Sequence, residues 1–269
     1  MKTVLITGAS AGFGKRVAEK LLDEGYTVYA AARRVEKMRD IEAKAAHILK
    51  MDVTDTASVD AGVNQMIDEQ KHIDVLFNNA GYGSYGTIES IPLEEIQYQY
   101  DVNVFGMARV IKAVLPHMRK RRCGLIINTA SVVGHVSTPV MGWYASTKHA
   151  VEGMSDALRS EVKHLGVDVV MIEPGAVKTE FDEVAFANLD KVDHPDDYKD
   201  LVAAFKRYAK GLYAKCPGPE STADAVLKAI KAKRPKARYA TTIDAKVLPK
   251  LKRLLGARLF DKALLSQLK

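Results

Sequence analysis

Cysteine is scarce. The 269 residues hold two, Cys123 and Cys216, far apart and without metal-type spacing. That pattern excludes a disulfide framework and a zinc site, and leaves two reduced thiols. No apolar run approaches the roughly 18 to 20 residues of a membrane span. The opening stretch Met1 to Gly8 reaches glycine too soon for a signal peptide, so the expected compartment is the cytoplasm. Internal repeats, low-complexity tracts and Pro/Ser-rich linkers are also missing, which favours one domain over residues 1–269. What is present is 47% apolar and 27% charged, enough for a large core and incompatible with wholesale disorder.

Acidic residues are scarce in one region only. Residues 206–269 carry 17 Lys and Arg against 4 acids, or +13, whereas the whole chain is +7 and the part before Lys206 is therefore −6. A basic chain invites a nucleic-acid partner. Confinement of the charge to the last 64 residues removes that inference from the rest, and no nucleic acid is expected.

Short apolar runs recur at Thr3 to Thr7, Thr27 to Ala31, His47 to Met51, Val75 to Phe77, Leu125 to Thr129 and Val167 to Ile172. Segments of helical spacing, such as Lys15 to Glu24 and Met107 to Lys120, lie between them. Strands that are apolar throughout are buried on both faces, so the reading is α/β, a parallel sheet between two helical layers. Right-handed crossovers make it a doubly wound, Rossmann-like sheet. Pro116 predicts a kink or an early end to its helix. Residues 180–220 break the alternation with Phe181, Phe186, Phe205, Tyr208 and Tyr213, and read as a substrate loop or lid with some helix of its own.

After the first strand comes Thr7-Gly8-Ala9-Ser10-Ala11-Gly12-Phe13-Gly14, with a helix following at once. Glycines there permit a tight turn and let a pyrophosphate approach the helix N-terminus, whose unpaired N–H groups attract an anion. The spacing T-G-x-x-x-G-x-G resembles the short-chain dehydrogenase/reductase family. The resemblance implies cofactor contacts at Gly8, Ser10, Gly12, Phe13 and Gly14. Where folds that prefer NAD place an acid for the ribose, this chain has Ala32, followed by Arg33 and Arg34. With no carboxylate to repel a 2′-phosphate and guanidinium groups able to fork onto one, NADP(H) is the expected cofactor. Arg33 is the preferred contact, though numbering alone does not separate it from Arg34. Asp52 and Val53 after the third strand, and Asn79, Ala80 and Gly81 after the fourth, match the family's cofactor shell. Each has a structural reading too: Asp52 as a cap, Asn78 or Asn79 as a bridge between strands.

Ser131 stands at the end of the fifth run, and Tyr144 and Lys148 follow at helical i, i+4 spacing, which places phenol and ammonium side by side. A cation beside a phenol lowers its pKa from about 10 toward the range of general acid–base work. Serine can donate to the same substrate oxygen as charge develops there. The order of glycine loop, Asn-Asn-Ala-Gly, serine and Tyr-x-x-x-Lys is similar to the single-domain branch of that family over about residues 3–179. The resemblance implies that Ser131, Tyr144 and Lys148 are catalytic and that Asn103 supports a proton relay. It also implies that Pro174, Gly175, Val177 and Thr179 lie beside the nicotinamide, and that Tyr144 and Lys148 contact the cofactor as well. The implied activity is interconversion of a carbonyl and an alcohol, with reduction as the working direction. A non-catalytic NADP-sensing regulator on the same fold is the alternative, and the intact Ser131, Tyr144 and Lys148 argue against it. The histidines, His135 among them, read as surface or packing residues, and no metal is expected.

Val132, Val133, Val136, Met141, Trp143, Phe181 and Phe186 surround this stretch, which favours a small but bulky hydrophobic carbonyl or alcohol. Arg33-Arg34 and the long C-terminal segment resemble the hydroxysteroid and retinol dehydrogenase side of the family; a steroid, a retinoid or an aliphatic or aromatic aldehyde fits equally. The family also implies a homodimer or homotetramer. Residues 246–269 form a basic amphipathic pattern that Pro249 and Gly256 are expected to divide into short helices. Closing the substrate side is the favoured reading for this segment, with membrane-surface contact the other.

Overall fold

The computed structural model describes residues 2–268. Its strands are β1 (Thr3–Thr7), β2 (Thr27–Ala32), β3 (His47–Lys50), β4 (Val75–Asn78), β5 (Gly124–Thr129), β6 (Val167–Glu173) and β7 (Arg238–Ala240). The helices are α1 (Gly12–Asp23), α2 (Arg39–Glu42), α3 (Thr56–Gln70), α4 (Leu93–Tyr100), α5 (Met107–Arg121), α6 (Gly142–Val162), α7 (Glu180–Leu189), α8 (Asp196–Tyr213), α9 (Glu220–Lys231) and α10 (Ile243–Ser266). All seven strands run parallel in the order β3-β2-β1-β4-β5-β6-β7.

Alternation along the strands feeds two cores. Leu5, Leu76 and Ile126 face α3, α5 and α6, while Val4, Ile6, Phe77 and Ile127 face α1 and α9. That is the three-layer, doubly wound sheet expected of apolar parallel strands. The winding reverses between β1 and β4, which opens a crevice at their carboxyl ends. A third apolar cluster, built from α7, α8, α10 and the turn at Val132–Gly134, covers that end of the sheet.

Two local expectations are corrected, and one strand is added. Pro116 neither kinks nor ends α5, which continues to Arg121. Both Pro116 and Lys112, whose carbonyl loses its helical donor, are exposed, and buried Val110, Val114 and Met118 hold the turns on either side. Pro249 likewise lies inside α10, and the break comes at Gly256 alone, with φ 70° and ψ 169°. Edge strand β7 has no counterpart among the apolar runs, because three half-buried residues, Arg-Tyr-Ala, carry no such signal. The 180–220 interval is largely helical, and of the expected 246–269 segment Lys269 lies outside the described residues.

Candidate active site

The glycine loop turns sharply at Gly8, whose φ is +66° and where a Cβ would lie 2.8 Å from the Ala80 Cα. Asn79 fastens the loop from the β4 side, its amide donating to the carbonyls of Thr7 (3.1 Å) and Gly8 (3.2 Å). The residue capping α1 is Ala11, which offers no side-chain acceptor to the first-turn N–H groups. These donors therefore face the crevice free to meet an anion. Gly14 supports the loop from behind: a Cβ there would stand 2.5 Å from the Gly8 carbonyl oxygen and 2.6 Å from the Asn79 amide nitrogen. Gly14→Ala is expected to lower stability by about 1–3 kcal/mol through this overpacking and to weaken dinucleotide binding. Thermal unfolding and a fluorescence titration check it; wild-type values in both contradict the steric account.

A cavity of about 750 Å³ runs from the loop across the sheet ends to α8 and α10. Of the catalytic and cofactor-contact residues expected from the sequence, all but Gly14 and Asn103 line it, whereas Trp143 and Phe186 of the expected hydrophobic surround do not. Arg33 donates to the Tyr98 hydroxyl (2.5 Å), whereas Arg34 turns to the loop, 3.5 Å from the Ser10 hydroxyl and 3.6 Å from the Glu180 carboxylate. Asp52 does cap its own turn, accepting from the Thr54 N–H (2.9 Å) and hydroxyl (2.7 Å). Asn78 bridges strands, donating to Asn128 at 3.0 Å.

At the centre, α6 buries Tyr144 and Lys148 on one face. The Lys148 ammonium donates to the Thr129 carbonyl (2.8 Å) and lies 5.8 Å from the Tyr144 ring centre. Ser131 lies two residues past the end of β5; its hydroxyl donates to the Pro174 carbonyl (3.2 Å) and accepts from the Val133 N–H (3.3 Å). Burial lowers Lys148 to about 8 and holds the Tyr144 phenol above its ordinary value. This corrects the expectation of a phenol lowered by its neighbour: loss of water on burial raises the phenol and outweighs the field of the ammonium. Asn103 lies in a turn of wider π-type helix, Asp101–Gly106. Its amide is fully engaged, donating to the Tyr82 carbonyl (2.8 Å) and Thr147 hydroxyl (3.2 Å) and accepting from the Tyr82 N–H (2.7 Å).

A family model described as short chain dehydrogenase matches residues 2–190. The chain belongs to the short-chain dehydrogenase family. It is an oxidoreductase of that type, acting between CH–OH and carbonyl groups with a nicotinamide cofactor. The chain is 43% identical to a 3-ketodihydrosphingosine reductase of Bacteroides thetaiotaomicron over 178 residues, 66% of this chain and 65% of that one. It is 34% identical to an NADPH-dependent 3-dehydrocapnine reductase of Ornithobacterium rhinotracheale, covering 100% of this chain and 98% of the relative. A crystal structure of a short-chain dehydrogenase from Streptomyces avermitilis superposes with a TM-score of 0.83 at 31% identity, covering 94% of this chain and 93% of the other.

Several residues of this dehydrogenase site escaped the sequence reading. Tyr85 is fully buried and stands edge-on to Tyr144 with ring centres 5.9 Å apart. The start of α10 pins the Pro174–Thr179 loop: the Thr242 hydroxyl accepts from the Gly175 N–H, and Asp244 accepts from the Ala176 N–H, both at 2.9 Å. Trp143 points away, donating to the Ile88 carbonyl (3.1 Å). His135 is not a simple surface residue. It lies 3.3 Å from Glu173 and 3.7 Å from Glu152, the only group of metal-ligand spacing among the described residues. Arg238 already bridges both carboxylates, so the donor set is answered by a guanidinium. None of these links joins residues close in sequence, and only the folded topology brings them together.

Proposed function

We propose that the protein is an NADPH-dependent reductase that converts the carbonyl of a bulky hydrophobic substrate to an alcohol. The observation that carries this reading is one cavity joining an open helix N-terminus and two guanidinium groups to a buried Tyr144 and an apolar enclosure. The residues present fit a phosphorylated dinucleotide: glycines too close to other backbone for a Cβ, first-turn N–H groups without a side-chain cap, and no carboxylate at Ala32. Gly8, Ser10, Gly12 and Phe13 would hold the pyrophosphate side, and Arg33 and Arg34 the 2′-phosphate. Asp52 and Val53 would hold the adenine. Asn79, Ala80, Gly81, Pro174, Gly175, Val177 and Thr179 would enclose the nicotinamide half, with Lys148 on its ribose. When bound in reduced form, the cofactor supplies the hydride.

Tyr144 gives the proton to the substrate oxygen, and Ser131 donates a hydrogen bond to that oxygen as charge grows on it. Lys148 then steadies the phenolate left behind. Asn103 acts as a positioning residue, tying the Tyr82 backbone to Thr147 on the catalytic helix. On the far side Phe181, Phe205, Tyr213, Leu248, Leu251 and Phe260 exclude water and accept apolar bulk. The 3-keto and 3-dehydro substrates in the relatives' names, and the NADPH in one of them, support the same assignment.

The test follows NADPH oxidation against a panel of steroid ketones, retinoid and long-chain aldehydes, short keto acids and sugars. Turnover is expected on the hydrophobic carbonyls, and activity confined to keto acids or sugars overturns the substrate class. In parallel, Arg33→Ala and Arg34→Ala are expected to weaken NADPH by roughly 10- to 100-fold through loss of charge-assisted hydrogen bonds, with NADH nearly unchanged. Full NADPH affinity in both variants sinks the phosphate assignment.

A further inference from the structure

The first half of α10 has two distinct faces. Leu248, Leu251 and Leu255 pack inward, and the first two line the cavity. Ile243, Lys246, Val247, Lys250, Arg253 and Leu254 recur at spacings that hold them on the opposite stripe. All six are exposed, Ile243 at 79% and Leu254 at 82%. Among the described residues no carboxylate lies within ion-pair distance of Lys246, Lys250 or Arg253. Beyond Gly256 the pattern continues outward with Arg258, Leu259, Lys262 and Leu265. Single exposed apolar residues are ordinary. Large apolar side chains interleaved with unpaired cations along one helical stripe are what an interfacial helix presents.

We propose that this stripe docks the protein on the surface of an anionic lipid bilayer, with α10 lying flat among the headgroups. Charge selects this occupant. A second copy meeting the same face across a two-fold axis would bring the cations Lys246, Lys250 and Arg253 against an identical stripe that holds no carboxylate to answer them. An anionic headgroup layer over acyl chains answers the cations and the apolar side chains together. Among the described residues no helix is long and apolar enough to cross a membrane. The inner face of the same helix walls the cavity, so docking sets the substrate space about 10 Å, one helix diameter, from the lipid.

The full chain is sedimented with vesicles of phosphatidylglycerol or of phosphatidylcholine, a measurement that needs no turnover and stands apart from the proposed reaction. Binding to phosphatidylglycerol is expected to exceed that to phosphatidylcholine by about tenfold or more and to fall at high salt. The double variants Ile243→Asp/Leu254→Asp and Lys246→Glu/Lys250→Glu are each expected to lose most of it, with circular dichroism and turnover of a water-soluble aldehyde unchanged. Equal binding to both vesicles, or none, overturns the proposal. Loss on the lysine variant with full binding by the leucine variant overturns insertion of the helix. A dimer in solution that the leucine variant splits, without vesicle binding, assigns the stripe to self-association and overturns it as well.

Discussion

Tyr144→Phe is expected to lower carbonyl reduction about 10³-fold while leaving NADPH affinity within about twofold of the wild type. The change deletes one oxygen and keeps the ring that packs against Tyr85, at 5.9 Å between centres, and Phe181, at 5.3 Å. What disappears is the hydroxyl proposed to give its proton to the substrate oxygen. Burial keeps the phenol protonated through the neutral range, and the same burial brings Lys148 down to about 8. The direction of the pH profile follows. Below about 8 Lys148 is charged and able to steady the phenolate left after proton transfer; above it the ammonium is lost and reduction should fall. Oxidation of the alcohol needs the phenolate at the outset and should rise with pH where reduction falls. Steady-state rates in both directions, beside a cofactor titration, check this, and a variant keeping a tenth or more of the wild-type rate contradicts Tyr144 as the acid.

The parts of this site that were legible in the sequence are those encoded locally. β1, β4 and β5 were readable because strands buried on both faces must be apolar throughout. The glycine loop was readable because only glycine allows the approach of Gly8 to Ala80. Tyr144 and Lys148 were readable because one helical turn fixes their common face. Spacing carries proximity but neither burial nor the aim of a hydrogen bond, and so it gave the phenol's shift the wrong sign. Pro249 and Gly256 looked equivalent as helix breakers. Pro249 keeps helical φ/ψ between the packed leucines Leu248 and Leu251, whereas Gly256 alone takes a positive φ. β7 and the cluster of His135, Glu152, Glu173 and Arg238 were illegible for a different reason. Their members come from the turn after β5, from α6, from β6 and from the sheet edge, and no local pattern marks residues that meet only across the fold.

That cluster carries an expected effect on stability that depends on pH. Glu152, on α6, and Glu173, the last residue of β6 and next in sequence to the Pro174–Thr179 loop, are 7% and 6% exposed and lie close together. Arg238 donates to Glu152 at 3.0 Å and to Asp156 at 2.7 Å, and its Nε lies 3.0 Å from Glu173. Its side chain is about one-third exposed, so water screens part of the pairing. Arg238→Met, which keeps the apolar stem, leaves two buried carboxylates to repel one another and is expected to lower stability by about 2 kcal/mol, discounted for that screening. The loss should depend on pH with a definite sign. Burial and the charge of Glu173 raise the Glu152 carboxyl, and the hydrogen bond to Glu173 raises His135. A raised histidine stabilises the fold fully below its unfolded value and loses that contribution as pH rises through its folded one. A raised carboxyl has the same sense, favouring the fold while protonated and opposing it once ionised. With the guanidinium gone, both shifts should grow. The deficit of Arg238→Met should therefore be smallest near pH 5 and widen toward pH 8, about the span between carboxylate and histidine titration and full ionisation. Denaturant unfolding of both proteins across that range measures it. A deficit independent of pH would mean that the stem and the β7 edge, rather than the buried charges, carry the role of Arg238.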